Sequence, residues 1–284
     1  MTGFFCFLFL EQKLHLMLQN THKQKTTMKR LLAIIMLFAF GDAFSQDAFK
    51  TGEYFKFRIH YGVVNAGYAT MELKESVKNN KKVHHVIGNG VTTGMTKFFF
   101  KVSDTYESYF DKATGKPYQY VRKIDEGGYT KNQEGFFNQD KNTVLVKDYK
   151  NKKQKTIAVT ENVQDIISVF YYLRNHPSVD RMKLNEAITV DMFFDDEVIK
   201  FKLKFIGRED IVTKFGTIST MMFRPIVQAG RVFKEQESVT VWISDDNNKI
   251  PLRIKAELAV GSLKADLEEY KGLAHAITIK SKVK

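Results

Sequence analysis

The sequence predicts a mainly β fold: an antiparallel, strongly curved sheet or half-barrel with one packed α-helix. Three observations support this prediction. Apolar and polar residues alternate with a period of two in many stretches, short turn-like segments separate these stretches, and one stretch has helical spacing instead. Antiparallel strands joined by short turns, together with a single helix, are typical of a sheet that wraps around that helix or closes into a barrel.

The clearest alternation lies in residues 54–61. Phe55 and Phe57 fall on one face of the predicted strand, and basic side chains fall on the other. The segment 62–67 interrupts the pattern and residues 69–73 resume it, so the two stretches predict a β-hairpin. The pattern recurs to give roughly a dozen strands. Further predicted strands lie at residues 98–102, 188–194, 199–205, 239–243, 250–258 and 263–267.

Residues 161–174 lack glycine and proline and have the spacing of an amphipathic helix. Thr160 is expected to cap its N-terminus. Arg174 projects close to the apolar side, so we expect it to be partly buried in a structural ion pair with a carboxylate from a strand. The alternative is a frayed last turn that lets Arg174 point to water. The apolar side consists of Val163, Ile166, Ile167 and Phe170.

The N-terminal region predicts export. Residues 28–45, MKRLLAIIMLFAFGDAFS, combine a basic start, an apolar run and small side chains before a cleavage point between Ser45 and Gln46. The apolar run is too short to span a bilayer comfortably, although a retained anchor is the alternative. Residues 1–27 fit this pattern poorly and are expected to be an upstream extension of the reading frame.

Residues 46–284 are expected to form a single β-rich domain. The only cysteine, Cys6, lies upstream, so the mature protein would have neither disulfides nor thiol chemistry. The formal net charge is +12 and is spread along the chain, which is typical of a solvated basic surface and also suits attraction to anionic groups. We expect the protein in the periplasm or on the periplasmic face of the outer membrane, with no transmembrane span after cleavage.

Three stretches resemble the bacterial exported family catalogued as domain of unknown function number 3108. They are GEYFKFRIHYGVVNAGYATMEL at residues 52–73, DIISVFYYLR at residues 165–174, and VWISDDNNKIPLRIKAELAVGSLKADL at residues 241–267. The resemblance implies an envelope location and an all-β fold similar to a half-barrel. It implies no activity and no functional residue.

The sequence contains no strong catalytic or metal-binding motif. His84 and His85 are adjacent, so on a strand they face opposite sides and cannot share a metal. Residues 195–197 have the composition of a solvated turn, with a hard-cation site as the alternative, and residues 245–249 that of a hairpin turn. We therefore expect no enzyme activity, no cofactor, no metal and no nucleic-acid partner; a hydrolase with scattered catalytic residues is a weaker alternative.

Two functional hypotheses remain. The first is a carrier or binding module for an apolar, lipid-like ligand, because a concave sheet is able to hold such a molecule against a helix. The alternative is a non-enzymatic structural or interaction protein that assists envelope assembly through protein contacts. A carrier needs an apolar cavity that its own side chains leave unfilled, whereas an interaction module needs only a packed core.

The export hypothesis predicts a defined mature N-terminus. Protein recovered from its own host is expected to begin at or within a few residues of Gln46, because a signal peptidase cleaves after the small residues that end the signal. N-terminal sequencing of the purified protein measures this directly. Retention of residues 1–45 would contradict the prediction.

Overall fold

The structure is a computed structural model and describes residues 47–78, 80–227 and 239–281. The segments predicted as extension (1–27) and signal peptide (28–45), with the Ser45–Gln46 junction, lie outside the described residues. The strands are β1 (Tyr54–Tyr61), β2 (Val64–Lys78), β3 (Lys81–Thr92), β4 (Ser103–Asp111), β5 (Pro117–Glu126), β6 (Tyr129–Asn138), β7 (Thr143–Asp148), β8 (Lys153–Ala158), β9 (Ala187–Phe194), β10 (Glu197–Thr213), β11 (Gly216–Val227), β12 (Val239–Ser244), β13 (Pro251–Glu257) and β14 (Ser262–Lys271). The helices are α1 (Thr96–Phe99), α2 (Ser168–Arg174) and a 3₁₀ turn (Val179–Arg181).

All fourteen described strands belong to one antiparallel sheet. The order runs from β8 back to β1 and then from β14 back to β9, so consecutive strands pair with each other except β8 and β9, which form the two edges. The two halves of the chain join through the β1–β14 pair. The predicted fold class is confirmed: the protein is mainly β, the sheet is antiparallel and not closed, and one helix packs against it.

Contacts between distant strands show how strongly the sheet curves. Arg122 of β5 donates from Nη1 to Asp195 Oδ1, in the turn between β9 and β10, at 2.6 Å. After β8 the chain crosses to the β9 edge, where the backbone N–H of Phe193 donates to the Gln164 carbonyl at 2.7 Å. The residues that follow edge strand β8 therefore pair with the opposite edge strand, β9. The sheet thus forms a half-barrel whose two edges approach each other.

Residues 98–102 do not form the predicted strand. The positive φ of Gly94 (56°) turns the chain out of β3. The connection then folds into α1, and β4 begins at Ser103. Phe98, which the pattern placed on a strand face, is 91% exposed. The alternation there reflects an exposed helical turn and not a buried sheet face.

The predicted helix is also shorter in the structure. α2 begins at Ser168, because the residues before it cross to β9. The Asp165 carboxylate accepts the backbone N–H groups of Ile167 and Ser168, both at 2.8 Å, so Asp165 and not Thr160 satisfies donors at the helix start. None of the helices in the described residues is long and apolar enough to cross a membrane.

The adjacent histidines of β3 occupy different environments. His84 is buried, with its ring centroid 5.5 Å from that of Phe49 and 5.2 Å from that of Phe110. His85 instead places Nε2 at 2.7 Å from Glu107 Oε2. Burial lowers the pKa of His84 to about 4, and the positive charge of Lys112 acts in the same direction.

This burial predicts a pH-dependent stability. Above the unfolded-state pKa of His84, near 6.5, the ring is neutral in both the folded and the unfolded protein. Between pH 6.5 and about 4 the ring binds a proton in the unfolded chain but stays neutral in the folded one. Stability is therefore lost as the pH falls from about 6.5 to about 4, by about 2 kcal/mol between pH 7 and pH 5. Urea melts at the two pH values should show this difference in the wild type and a smaller one in His84→Gln. An equal pH dependence in both proteins would contradict the prediction.

Candidate ligand cavity

An apolar cavity of about 370 Å³ lies between α2 and the sheet. Its walls come from α2, from β1 and β2, and from β9 to β13. The volume lies within the range of about 300–1,000 Å³ that is typical of small-molecule sites. Among the described residues that line it, only Arg174 and Lys249 are charged.

The strand alternation creates this apolar lining. β9 contributes Met192 and β10 contributes Phe201 and Leu203, which the sequence pattern placed on one face of each strand. The antiparallel register sets Leu203 opposite Pro225 of β11, so neighbouring strands present apolar groups to the same space. Val169 of α2 faces this wall from the helix side.

A buried ion pair lies at the cavity wall, next to the start of β1. Arg174 Nη1 donates to Glu53 Oε1 at 2.6 Å, and Nη2 donates to Oε2 at 2.7 Å. The two residues are 3% and 0% exposed. Arg174 also donates to the carbonyls of Asn248 (2.8 Å) and Ala48 (2.9 Å). Glu53, which immediately precedes β1 instead of lying on a strand as predicted, is therefore the carboxylate beside Arg174, and the guanidinium lies buried instead of pointing to water.

Aromatic rings surround this pair and exclude water from it. The guanidinium carbon of Arg174 lies 5.2–5.7 Å from four ring centroids. This spacing allows cation–π attraction, which is strongest where water is excluded. The rings belong to Phe49, Phe55, Phe170 and Tyr171.

Lys249 is the second charged residue of the lining. Its Nζ lies 3.2 Å from Asp180 Oδ1 in the 3₁₀ turn. The Lys249 side chain is 10% exposed and that of Asp180 63% exposed, so the ammonium group lies at the boundary between cavity and solvent. A long cationic side chain in this position buries its stem and keeps its head close to water.

The turn at residues 245–249 joins the paired strands β12 and β13, as the hairpin prediction has it, but part of this turn is buried. Asn248 is 0% exposed, and its backbone N–H donates to Asp246 Oδ1 at 2.9 Å. Asp246 Oδ1 also accepts the Ser244 hydroxyl at 2.8 Å, which closes the turn tightly. This geometry directs the Asn248 carbonyl to Arg174.

The acidic residues 195–197 also differ from the predicted solvated turn. Asp195 accepts from Lys131 at 2.5 Å as well as from Arg122. Although burial opposes the effect, these two cations lower the pKa of Asp195. The Asp195 carboxylate therefore joins the β9–β10 turn to strands β5 and β6. No cluster of metal-ligating side chains occurs in the part of the chain that the structure describes.

The family model described as "Protein of unknown function (DUF3108)" matches residues 56–268, well over half of the chain. The chain belongs to the DUF3108 family. Among curated proteins, none matches this DUF3108 chain.

Solved structures resemble the DUF3108 chain in fold. A beta-barrel-like protein of the family DUF1849 from Brucella abortus has a TM-score of 0.52 at 9% identity, covering 78% of this chain and 97% of its own. A candidate lipoprotein from Parabacteroides distasonis has a TM-score of 0.31 at 12% identity, with coverages of 80% and 99%. A candidate exported protein with a YmcC-like fold from Bacteroides fragilis has a TM-score of 0.27 at 9% identity, covering 78% of this chain and 97% of its own. The first likeness supports the barrel-like fold.

The three stretches that carry the DUF3108 resemblance meet at the buried ion pair. Glu53 comes from the first stretch, Arg174 from the second, and Asn248 from the third. Sequence reasoning singled out Arg174 but not Glu53, which precedes the first strand without a distinctive motif. It also placed Lys249 in a turn, since the turn composition gives no sign that a cavity lies behind it.

The buried pair predicts a large loss of stability on truncation. Arg174→Ala leaves the Glu53 carboxylate and two carbonyls buried without their donor, which should cost about 3–5 kcal/mol. Arg208→Ala is the matched control, because the Arg208–Asp245 pair also joins an arginine to a carboxylate, at 2.9 Å, with the Arg208 side chain 44% exposed. That exposed pair should contribute less than about 1 kcal/mol. Equal, small losses in urea melts would contradict a structural role for the Arg174 pair.

Proposed function

We propose that this DUF3108 protein is a non-enzymatic carrier or binding module of the cell envelope for an apolar, lipid-like ligand. The observation that supports the proposal is the apolar cavity of about 370 Å³ between α2 and the sheet. Protein cores normally pack with few voids larger than a water molecule, so an unfilled volume of this size is a feature that a purely structural domain does not need.

The lining favours a ligand that is mostly hydrocarbon. Its strands and helix present aliphatic and aromatic side chains, and Arg174 is already bound to Glu53 and to backbone carbonyls. A strongly polar ligand would lose its hydration there without gaining partners. Lys249 is the charged group of the lining that lies near solvent.

The envelope location rests on the predicted signal sequence at residues 28–45. A carrier that leaves the cytoplasm would handle the apolar molecules of the envelope, since these need protection from water between membranes. The alternative role in envelope assembly through protein contacts would require only a packed core, and the cavity favours the carrier.

Native mass spectrometry of protein purified from its own host tests the proposal. A co-purifying apolar molecule in the mass range of lipids is expected. In parallel, the fluorescent apolar probe N-phenyl-1-naphthylamine should bind to delipidated protein with increased emission. Absence of both a co-purifying lipid and probe binding would contradict the proposed function.

A cavity-filling variant locates the ligand. Val169→Phe adds volume to a side chain that is 4% exposed and faces the cavity, so it should reduce probe binding severalfold. Val212→Phe is the matched control, because Val212 is 68% exposed on β10 and does not line the cavity. Unchanged binding in a folded Val169→Phe protein would show that the probe lies elsewhere.

A further inference from the structure

Exposed apolar side chains gather at one end of the sheet. The antiparallel order places the β1–β2, β3–β4, β5–β6, β7–β8 and β13–β14 connections at the same end. Thirteen of the seventeen large apolar side chains that are exposed among the described residues lie there. Single exposed apolar residues are common on protein surfaces, but such clustering marks an interaction surface.

The five most exposed of these side chains form the feature that we name the apolar tips. They protrude from three separate connections, and none is less than 75% exposed. At the opposite end of the sheet the exposed apolar residues are less exposed than these five; Val77 is 62% exposed and Val212 68%. The apolar tips are Val63, Met95, Phe98, Phe99 and Val260.

Hydrogen bonds link the connections that carry the tips. Tyr61 Oη donates to the Val260 carbonyl at 2.9 Å, which joins the β1–β2 turn to the β13–β14 turn. The backbone N–H of Thr93 donates to the Ala66 carbonyl at 3.0 Å, which joins the β3–β4 connection to the start of β2. The tips therefore belong to one continuous surface.

We propose that this end of the protein docks onto an anionic lipid bilayer, with the apolar tips inserted among the lipid chains. Protruding tips on separate turns suit a fluid layer that fills the space between them, whereas a rigid protein partner would need a matching shape. Tyr129 and Tyr149 lie exposed at the same end, on the neighbouring β5–β6 and β7–β8 connections. Tyrosine rings favour the boundary between lipid headgroups and chains.

The charges at this end complement anionic headgroups. Lys97 of α1 is exposed between the tips, and the β7–β8 connection adds Lys150 and Lys152, also exposed. At this end Asp125 pairs with Lys101 at 2.5 Å, which offsets its negative charge. Basic residues beside inserted apolar side chains strengthen binding to anionic membranes.

Vesicle flotation of the purified protein tests the docking surface. Wild-type protein should float with vesicles of phosphatidylcholine mixed with phosphatidylglycerol, and less with phosphatidylcholine alone. The double variant Phe98→Ser/Phe99→Ser should partition about tenfold or more weakly, since each ring loses its burial in the hydrocarbon. Lys97→Glu should weaken binding to the anionic vesicles selectively.

The matched control is Val77→Ser/Val212→Ser, which removes exposed apolar groups from the opposite end and should leave partitioning unchanged. Near-ultraviolet circular dichroism of Trp242, the single tryptophan, verifies that each variant is folded. Absence of wild-type binding to either vesicle would overturn the proposal. Equal weakening by the two double variants would overturn it too, and self-association lost only in Phe98→Ser/Phe99→Ser would assign the surface to a protein partner instead.

The docking surface does not depend on the cavity. Val169→Phe should leave vesicle partitioning unchanged while it reduces probe binding, so the docking surface and the carrier function succeed or fail separately.

Discussion

The Arg174–Glu53 pair joins parts of the chain that are far apart in sequence. Arg174 ends α2, Glu53 precedes β1, and the carbonyls of Ala48 and Asn248 complete the guanidinium's partners. Because an uncompensated buried charge is costly, these segments can hold together only in an arrangement that brings every partner to the guanidinium. The pair thus fixes the C-terminal end of α2 to both halves of the sheet. The packing of α2 against the sheet follows from this fixed end.

Backbone geometry around Glu53 supports the same arrangement. The N–H of Gly52 donates to the Leu73 carbonyl at 2.8 Å, which sets the start of β1 against β2. Gly272 follows β14 with a φ of 65°, and a Cβ there would lie 2.1 Å from the Gly52 carbonyl oxygen. Only glycine allows β14 to end this close to the start of β1. The sheet can then curve until the β9–β10 turn reaches Arg122, and the cavity is the space left beside the anchored helix.

Most of the fold could be predicted from sequence, because period-two alternation reports directly which face of a strand is buried. The pattern failed where the cause was tertiary. Residues 98–102 alternate like a strand although they begin inside the exposed helical turn Thr96–Phe99. The first residues of the predicted helix pair with the β9 edge instead of forming helix. The cavity itself could not be predicted, since alternation shows that Leu203 faces inward but not whether another side chain meets it. The partner of Arg174 could not be predicted either, because Glu53 is more than a hundred residues away in sequence and only the tertiary fold brings the two together.

The central claim is that the space between α2 and the sheet holds an apolar ligand, and photo-crosslinking tests it most directly. Delipidated protein would be incubated with a photoactivatable fatty acid, irradiated and digested, and the modified residues located by mass spectrometry. The account predicts adducts on cavity-lining residues such as Phe201, Leu203 and Phe223, with competition by unlabelled lipid. Adducts confined to the exposed surface, or none at all, would contradict it.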